Sequence, residues 1–184
     1  MLYMMRYDSP IGPLLLVEKE GALAGLWMEG QKYYLGSLQK EASGQGKEYA
    51  DTKVLRQAKE WLDRYFAGKK PDIGELTLAP SGSDFRRAVW KILCEIPYGE
   101  VTTYGEIARK VAGRRGNGRM SAQAVGGAVG HNPISIIIPC HRVVGADGSL
   151  TGYAGGLKRK ISLLTLEGAD MEKLFATYGR NVPI

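Results

Sequence analysis

Thr103-Tyr104-Gly105-Glu106-Ile107-Ala108-Arg109-Lys110-Val111-Ala112-Gly113, followed after a basic loop by Ser121-Ala122-Gln123-Ala124-Val125-Gly126-Gly127-Ala128-Val129, decides the fold of the second half of this chain. Thr103 and Glu106 have the spacing of a capping box, in which side chain and backbone satisfy each other's free donors at a helix start. Ile107, Ala108, Val111 and Ala112 follow on one face, and Gly113 is the expected stop. The second segment reads as a short helix of very small residues. Two short helices joined by a Gly-punctuated loop predict a helix-turn-helix with a lengthened turn.

Upstream, Ser83 or Asp84 can cap a helix whose Phe85, Ala88, Val89, Ile92, Leu93 and Ile96 make one apolar face, ended by Pro97-Tyr98-Gly99. Cys94 falls off that face and reads as a bystander. Further back, Val54, Leu55, Ala58, Trp61, Leu62, Tyr65 and Phe66 predict a helix behind Asp51-Thr52, stopped near Gly68. Residues 36–50 read as a loop. The apolar runs Leu14–Val17 and Ala22–Met28 predict a hairpin. The expected organisation is therefore an α/β domain over 1–78, a mainly helical domain over 79–170 and a tail over 171–184, with Pro80-Ser81-Gly82-Ser83 as linker.

Charge follows the same division. Residues 1–78 hold 11 basic and 11 acidic side chains, whereas residues 79–184 hold 14 and 8, so the net charge of +6 lies wholly in the second part. From Ile107 to Ala146 the chain carries Arg109, Lys110, Arg114, Arg115, Arg119 and Arg142 without any Asp or Glu. Such a stretch suits a phosphate-facing surface. Few side chains on the second helix suit the reading of base edges, Gln123 being the exception, so binding with little sequence preference is expected. Apolar runs are too short to span a bilayer, and no secretory signal is visible behind Met1, which predicts a cytoplasmic protein.

The chemistry concentrates in Asn132-Pro133-Ile134-Ser135-Ile136-Ile137-Ile138-Pro139-Cys140-His141-Arg142-Val143. The apolar run predicts a strand that Pro139 forces out of its sheet just before Cys140. Adjacent His141 and Arg142, with no local carboxylate, are expected to favour the thiolate. A Cys-His pair suggests a nucleophile with its base, although neighbours on an extended chain point apart and a bridging water is then needed. The carboxylate that orients the imidazole is Asp147 or Glu167 on this reading. A DNA-binding regulator without a reactive thiol and a cysteine hydrolase are the rival classes. The first would need base-reading side chains, and the second leaves the basic helix pair unexplained.

Pro139-Cys140-His141-Arg142-Val143 resembles the active-site signature of the O6-alkylguanine-DNA alkyltransferases, the methylated-DNA:protein-cysteine methyltransferases. The likeness runs from Phe85 to Gly168 and takes in Gly99–Tyr104, Ala124–Ala128, Asn132-Pro133, Gly152–Gly156 and Leu163–Gly168 in order. It implies a ribonuclease-H-like N-terminal domain and a winged-helix-like helix-turn-helix domain. The implied activity is direct, stoichiometric transfer of an alkyl group from O6-alkylguanine in double-stranded DNA to Cys140, with O4-alkylthymine as a second candidate substrate. The thioether formed is not readily hydrolysed, so each molecule would react once, with no cofactor and no metal.

By the same resemblance, His141 is the base acting through water and Glu167 its orienting carboxylate. Asn132 is the hinge between the helix pair and the active-site segment, and Tyr104 assists the departing guanine. Tyr153 and the backbone of Cys140, Val143 and Ala154 read the base. Arg86, Arg114, Arg119, Ser121, Ala122 and Gln123 face the DNA of a monomeric protein, Gln123 standing where the family often has an arginine that fills the gap left by the extruded base.

Overall fold

The computed structural model describes residues 1–116, 118–150 and 152–178. The expected hairpin is formed by β2 (Gly12–Lys19) and β3 (Ala22–Met28), which turn through Glu20 and Gly21 at φ of 53° and 78°. Two further strands extend it. β1 (Leu2–Ser9) pairs antiparallel with β2, and β4 (Lys47–Tyr49) pairs parallel with β1, giving the order β3-β2-β1-β4.

The stretch 36–50 is therefore not simply a loop, since a 3-10 turn (Gly36–Leu38) and helix α1 (Gln39–Ser43) precede β4. Its few apolar side chains carry the order: Leu38 and Ala42 are buried against Leu2, Met4, Leu15, Val17 and Trp27 on one face of the sheet. Alternate residues of β2, Leu14 and Leu16, point to the opposite face, as the two-residue period of a strand requires.

That opposite face is covered by α2 (Lys53–Phe66), whose N-cap Thr52 accepts from the Leu55 amide at 3.2 Å. Leu55, Ala58, Trp61, Leu62 and Tyr65 of α2 are buried there. The same core continues through Val89, Ile92, Val111, Val125 and Ile134 to Cys140, so both halves of the chain share one apolar interior.

In the second half, α3 (Asp84–Leu93) is capped by Ser83, and the capping box of Thr103 and Glu106 opens α4 (Tyr104–Arg115) as the spacing predicts. Gly113 does not end α4. The helix passes through it, at a cost of about 1 kcal/mol relative to Ala, and stops at Gly116, whose φ of 67° supplies the left-handed cap. Ser121 caps α5 (Ala122–Gly130), accepting from Ala124 N at 3.0 Å. Trp90 of α3 donates Nε1–H to the Ala128 carbonyl at 2.9 Å and holds the second helix of the pair in place.

The expected strand before Cys140 is absent. Ile134 makes only an isolated parallel bridge to Leu26, through Leu26 N to Pro133 O and Ser135 N to Leu26 O, both 2.9 Å. The backbone then tightens into consecutive three-residue turns, with Ile137 N bonding Ser135 O and Cys140 N bonding Ile138 O, each at 2.8 Å. The central residue of the first is Ile136 at φ 71°, a region costly for a β-branched side chain. The central residue of the second is Pro139 at φ −82°, ψ 64°, the geometry of an inverse γ-turn. Asn132 locks the segment, accepting from Ile134 N at 3.0 Å and donating to Ile138 O at 2.7 Å.

After a 3-10 turn (Cys140–Arg142), β6 (Val143–Val144) pairs parallel with β5 (Thr102–Thr103), which brings the start of α4 beside the cysteine. α6 (Leu157–Leu166) then places Glu167 at its C-terminal end. In the stretch expected as tail, α7 (Met171–Tyr178) is helical, and Leu174 packs with Val144, Leu150, Leu164 and Ala169. The last residues, 179–184, lie outside the described ones.

Candidate active site

Cys140 opens the short turn that the Asn132 clamp and Pro139 deliver, and it is only 4% exposed. Burial pushes its thiol above the ordinary value, while the side chain of Asn132 and the charge of Lys160 oppose that shift in part. The expectation of a resting thiolate is thus corrected: desolvation outweighs the neighbouring cations. A proton must leave this thiol before it can attack.

His141, fully buried, turns its Nε2 to Glu167 Oε1 at 2.6 Å. Of the two carboxylates open on sequence grounds, Glu167 is the partner, and exposed Asp147 instead accepts from Ser149 N at 3.0 Å. A bond this short to a carboxylate assigns the ring proton to Nε2 and leaves the Nδ1 lone pair free. Nδ1 is buried and has no hydrogen-bond partner among the described residues. Burial holds the imidazole pKa below its usual value, with the Glu167 carboxylate opposing and Arg142 and Lys160 reinforcing, so the ring is a neutral acceptor.

Glu167 is itself densely held. Burial opposes its ionisation, yet the hydrogen bond from His141 and the hydrogen bonds and charge of Arg142 keep its carboxyl well below the usual range. Arg142 donates Nε to Oε2 at 2.8 Å and Nη2 to Oε1 at 2.9 Å, and its Nη1 is fixed by the Ile96 carbonyl at 2.6 Å. Gly99 presses on the same residue: its amide reaches Oε2 at 3.3 Å, and a Cβ there would stand 2.7 Å from the Glu167 carbonyl oxygen.

Burial raises the phenols of both Tyr104 and Tyr153, and a thiolate at Cys140 would raise them further. The Tyr104 hydroxyl packs on Gly152, where φ is 85° and a Cβ would lie 3.0 Å from that oxygen. Beside them a cleft of 270 Å³ runs between Gly126 and Gly127 of α5 and the Gly152–Ala154 segment. Among the described residues, a Cβ built at Gly127 would meet nothing within 4 Å outside its own helix backbone and chain neighbours, so this glycine is not demanded by packing against another element. The N-terminal domain closes the far wall: Lys32 N bonds the Ala154 carbonyl at 3.1 Å, and Tyr33 stacks on His131 with ring centroids 3.8 Å apart.

The remaining expected residues divide. Ser121, Ala122 and Gln123 are exposed together at the first turn of α5, just after exposed Arg119. Arg114 is engaged instead in a two-pronged pair with Glu95, both bonds 2.8 Å, and half-buried Arg86 lies one element away on α3. Cys94 sits apart at the end of α3, its thiol pushed up to about 11 by burial.

Sequence reasoning missed two buried polar groups. Lys160 donates Nζ to the Val143 carbonyl at 2.5 Å, and burial brings its pKa down to about 8. The available signal was a lysine within the apolar face formed by Leu157, Ile161 and Leu164. Tyr65 reaches Glu167 from α2, and its sequence context marks only a core aromatic.

A buried thiol beside an imidazole–carboxylate pair, set beneath a helix-turn-helix, defines a protein that brings a nucleophile to DNA. Residues 84–169 match the model of the 6-O-methylguanine DNA methyltransferase DNA-binding domain, and residues 2–80 match the ribonuclease-like domain of the same family. A methylated-DNA–protein-cysteine methyltransferase of Methanosarcina barkeri is 47% identical over 166 residues, covering 89% of this chain and 97% of its own. The protein of that name from Mycobacterium tuberculosis is 44% identical, covering 91% and 93%. Among solved structures, the M. tuberculosis O6-methylguanine methyltransferase superposes with a TM-score of 0.74 at 42% identity, over 91% of this chain and 93% of that one. M. tuberculosis OGT in complex with DNA gives the same TM-score and identity over 94% and 99%. The chain belongs to the methylated-DNA–protein-cysteine methyltransferase family.

Proposed function

We propose that in this family's reaction, the direct repair of O6-alkylguanine in DNA by alkyl transfer to a protein cysteine, Cys140 is the acceptor and His141 its base. The observation that carries the reading is the buried, unpartnered Nδ1 of an imidazole whose Nε2 is held at 2.6 Å by Glu167. The thiol proton passes to Nδ1 through a bridging water, and the imidazolium is stabilised by the carboxylate behind it. The thiolate attacks the alkyl carbon, the carbon–O6 bond breaks, and its electron pair leaves on guanine, which takes up a proton. A thioether on Cys140 remains, and the protein is consumed.

Because the reacting carbon lies inside the duplex, the base must be extruded, which costs a few kcal/mol. The cleft between α5 and Gly152–Ala154, lined by Tyr153 and Ala154, receives it, with the backbone of Ala154 and Val143 reading the base and Tyr104 donating toward it as it departs. Asn132 keeps the active-site turn in register with α5. Gln123, at the exposed start of α5, fills the vacated position in the stack, while Ser121, Ala122, Arg119, Arg86 and Arg114 meet the backbone. The reading takes the protein as a monomer acting on double-stranded DNA, without a cofactor or metal. A reactive thiol with both cysteines free supports a reducing, cytoplasmic setting.

Cys140→Ser tests the assignment: the variant is expected to bind methylated duplex with wild-type affinity in an anisotropy titration and to transfer nothing. Residual transfer at the wild-type rate would move the acceptor elsewhere.

A further inference from the structure

The carboxylate behind His141 is held from both domains. Tyr65, on α2 of the N-terminal domain, donates its hydroxyl to Glu167 Oε1 at 2.7 Å, the same oxygen that His141 Nε2 meets at 2.6 Å and Arg142 Nη2 at 2.9 Å. The phenol is fully buried and its ring is fixed on three sides, by Trp61 at 5.4 Å, Phe66 at 5.2 Å and Tyr98 at 5.9 Å between centroids. A packing role alone would be served by phenylalanine, without placing a hydroxyl in the interior.

We infer that Tyr65 is a positioning residue for alkyl transfer, supplied by the N-terminal domain, whose hydroxyl orients Glu167 and sets how strongly that carboxylate holds the imidazole of His141. The inference rests on the proposed reading of Cys140, His141 and Glu167. It gives residues 1–78 a part in the chemistry that their distance in sequence from Cys140 conceals.

Oε1 of Glu167 is a single oxygen with three donors. Each hydrogen bond to Oε1 withdraws electron density and lowers its power to stabilise positive charge on the ring. Without the phenol, Oε1 holds Nε2–H more strongly, the imidazolium gains, and the protonation midpoint of His141 moves to higher pH. The charged and titratable groups facing the pair are Arg142 from the active-site turn, Tyr98 from the segment after α3, Lys160 from α6, Cys140, and Tyr153 from the segment before α6. None of these is altered by Tyr65→Phe, which also keeps the three ring contacts.

The experiment combines imidazole NMR with single-turnover transfer from duplex DNA carrying O6-methylguanine. His131 and His141 are the only histidines, and His131, stacked on Tyr33, serves as internal reference. Tyr65→Phe is expected to raise the His141 midpoint by about 0.5 to 1 pH unit and to move the acid limb of the transfer rate upward with it. Where acid unfolds the protein first, the resonance of the Nε2-bound proton reports the same bond and should move downfield. Tyr65→4-aminophenylalanine, which keeps a donor in place, should return both readouts toward wild type and replaces the phenylalanine variant should that variant fail to fold. A His141 signal and acid limb unmoved in a folded variant lacking the hydroxyl would overturn the inference. Failure of the wild-type protein to transfer a methyl group to Cys140 would instead remove the reading beneath it.

Discussion

Replacing Glu167 by glutamine keeps the shape of the side chain and removes its charge, and the structure indicates what that costs. The carboxylate accepts from His141, Tyr65, twice from Arg142 and from the Gly99 amide. An amide offers one oxygen, and its own NH₂ must then face donors. The Arg142 guanidinium, its residue 6% exposed, is left buried without a counter-charge. Breaking a buried pair in this way costs about 3 to 5 kcal/mol, which for a chain of this length lowers Tm by about 6 to 20 °C.

The substitution also removes the negative charge that stabilises the imidazolium of His141, so transfer should slow by about 10² to 10⁴-fold. Acid dependence carries the same signature. Because the folded-state pKa of Glu167 lies below its ordinary 4.5, its stabilisation is complete above pH 4.5 and is lost as pH falls through the folded value. His141, whose pKa is lowered from 6.5, adds a loss as pH falls below 6.5, since the unfolded ring binds its proton first. Calorimetry between pH 7 and pH 3 should show the wild-type Tm falling more steeply than that of Glu167→Gln in the lower part of this range. A variant with wild-type Tm, rate and pH slope would refute the account of Glu167 as the carboxylate behind the base.

Tyr104→Phe should slow single-turnover transfer at saturating DNA by about 10²-fold while leaving affinity for unmodified duplex nearly unchanged; a wild-type rate would remove Tyr104 from the catalytic residues. Arg119→Ala should flatten the dependence of log K on log salt by about 0.9, measured by anisotropy on duplex DNA. Arg114→Ala should change that slope less, because Arg114 is already paired with Glu95. Equal, null effects from both would show that the loop is merely solvated.

The helices were legible because their ends are written locally. Thr52, Ser83, Thr103 with Glu106, and Ser121 each cap the helix expected behind them. Local signals failed where long-range contacts decide. Ile134–Ile138 has the composition of a strand, yet Asn132 and the Leu26 backbone force it into tight turns. Gly113 looks like a stop, but a helix interior tolerates it and Gly116 provides the actual cap. The charge near Cys140 suggested a thiolate because sequence shows neighbours and not burial. Glu167 was one of two candidates until the fold brought α6 back against the cysteine turn. Tyr65, 102 residues from its partner, could not be distinguished from any other core aromatic.

The most direct test of the central claim is peptide mapping by mass spectrometry after incubation with a duplex carrying a single O6-methylguanine. The account predicts one methyl group per protein molecule, on the peptide containing Cys140, with an equal amount of guanine restored and no further turnover. Restored DNA beside an unmodified Cys140, or several turnovers per molecule, would contradict it.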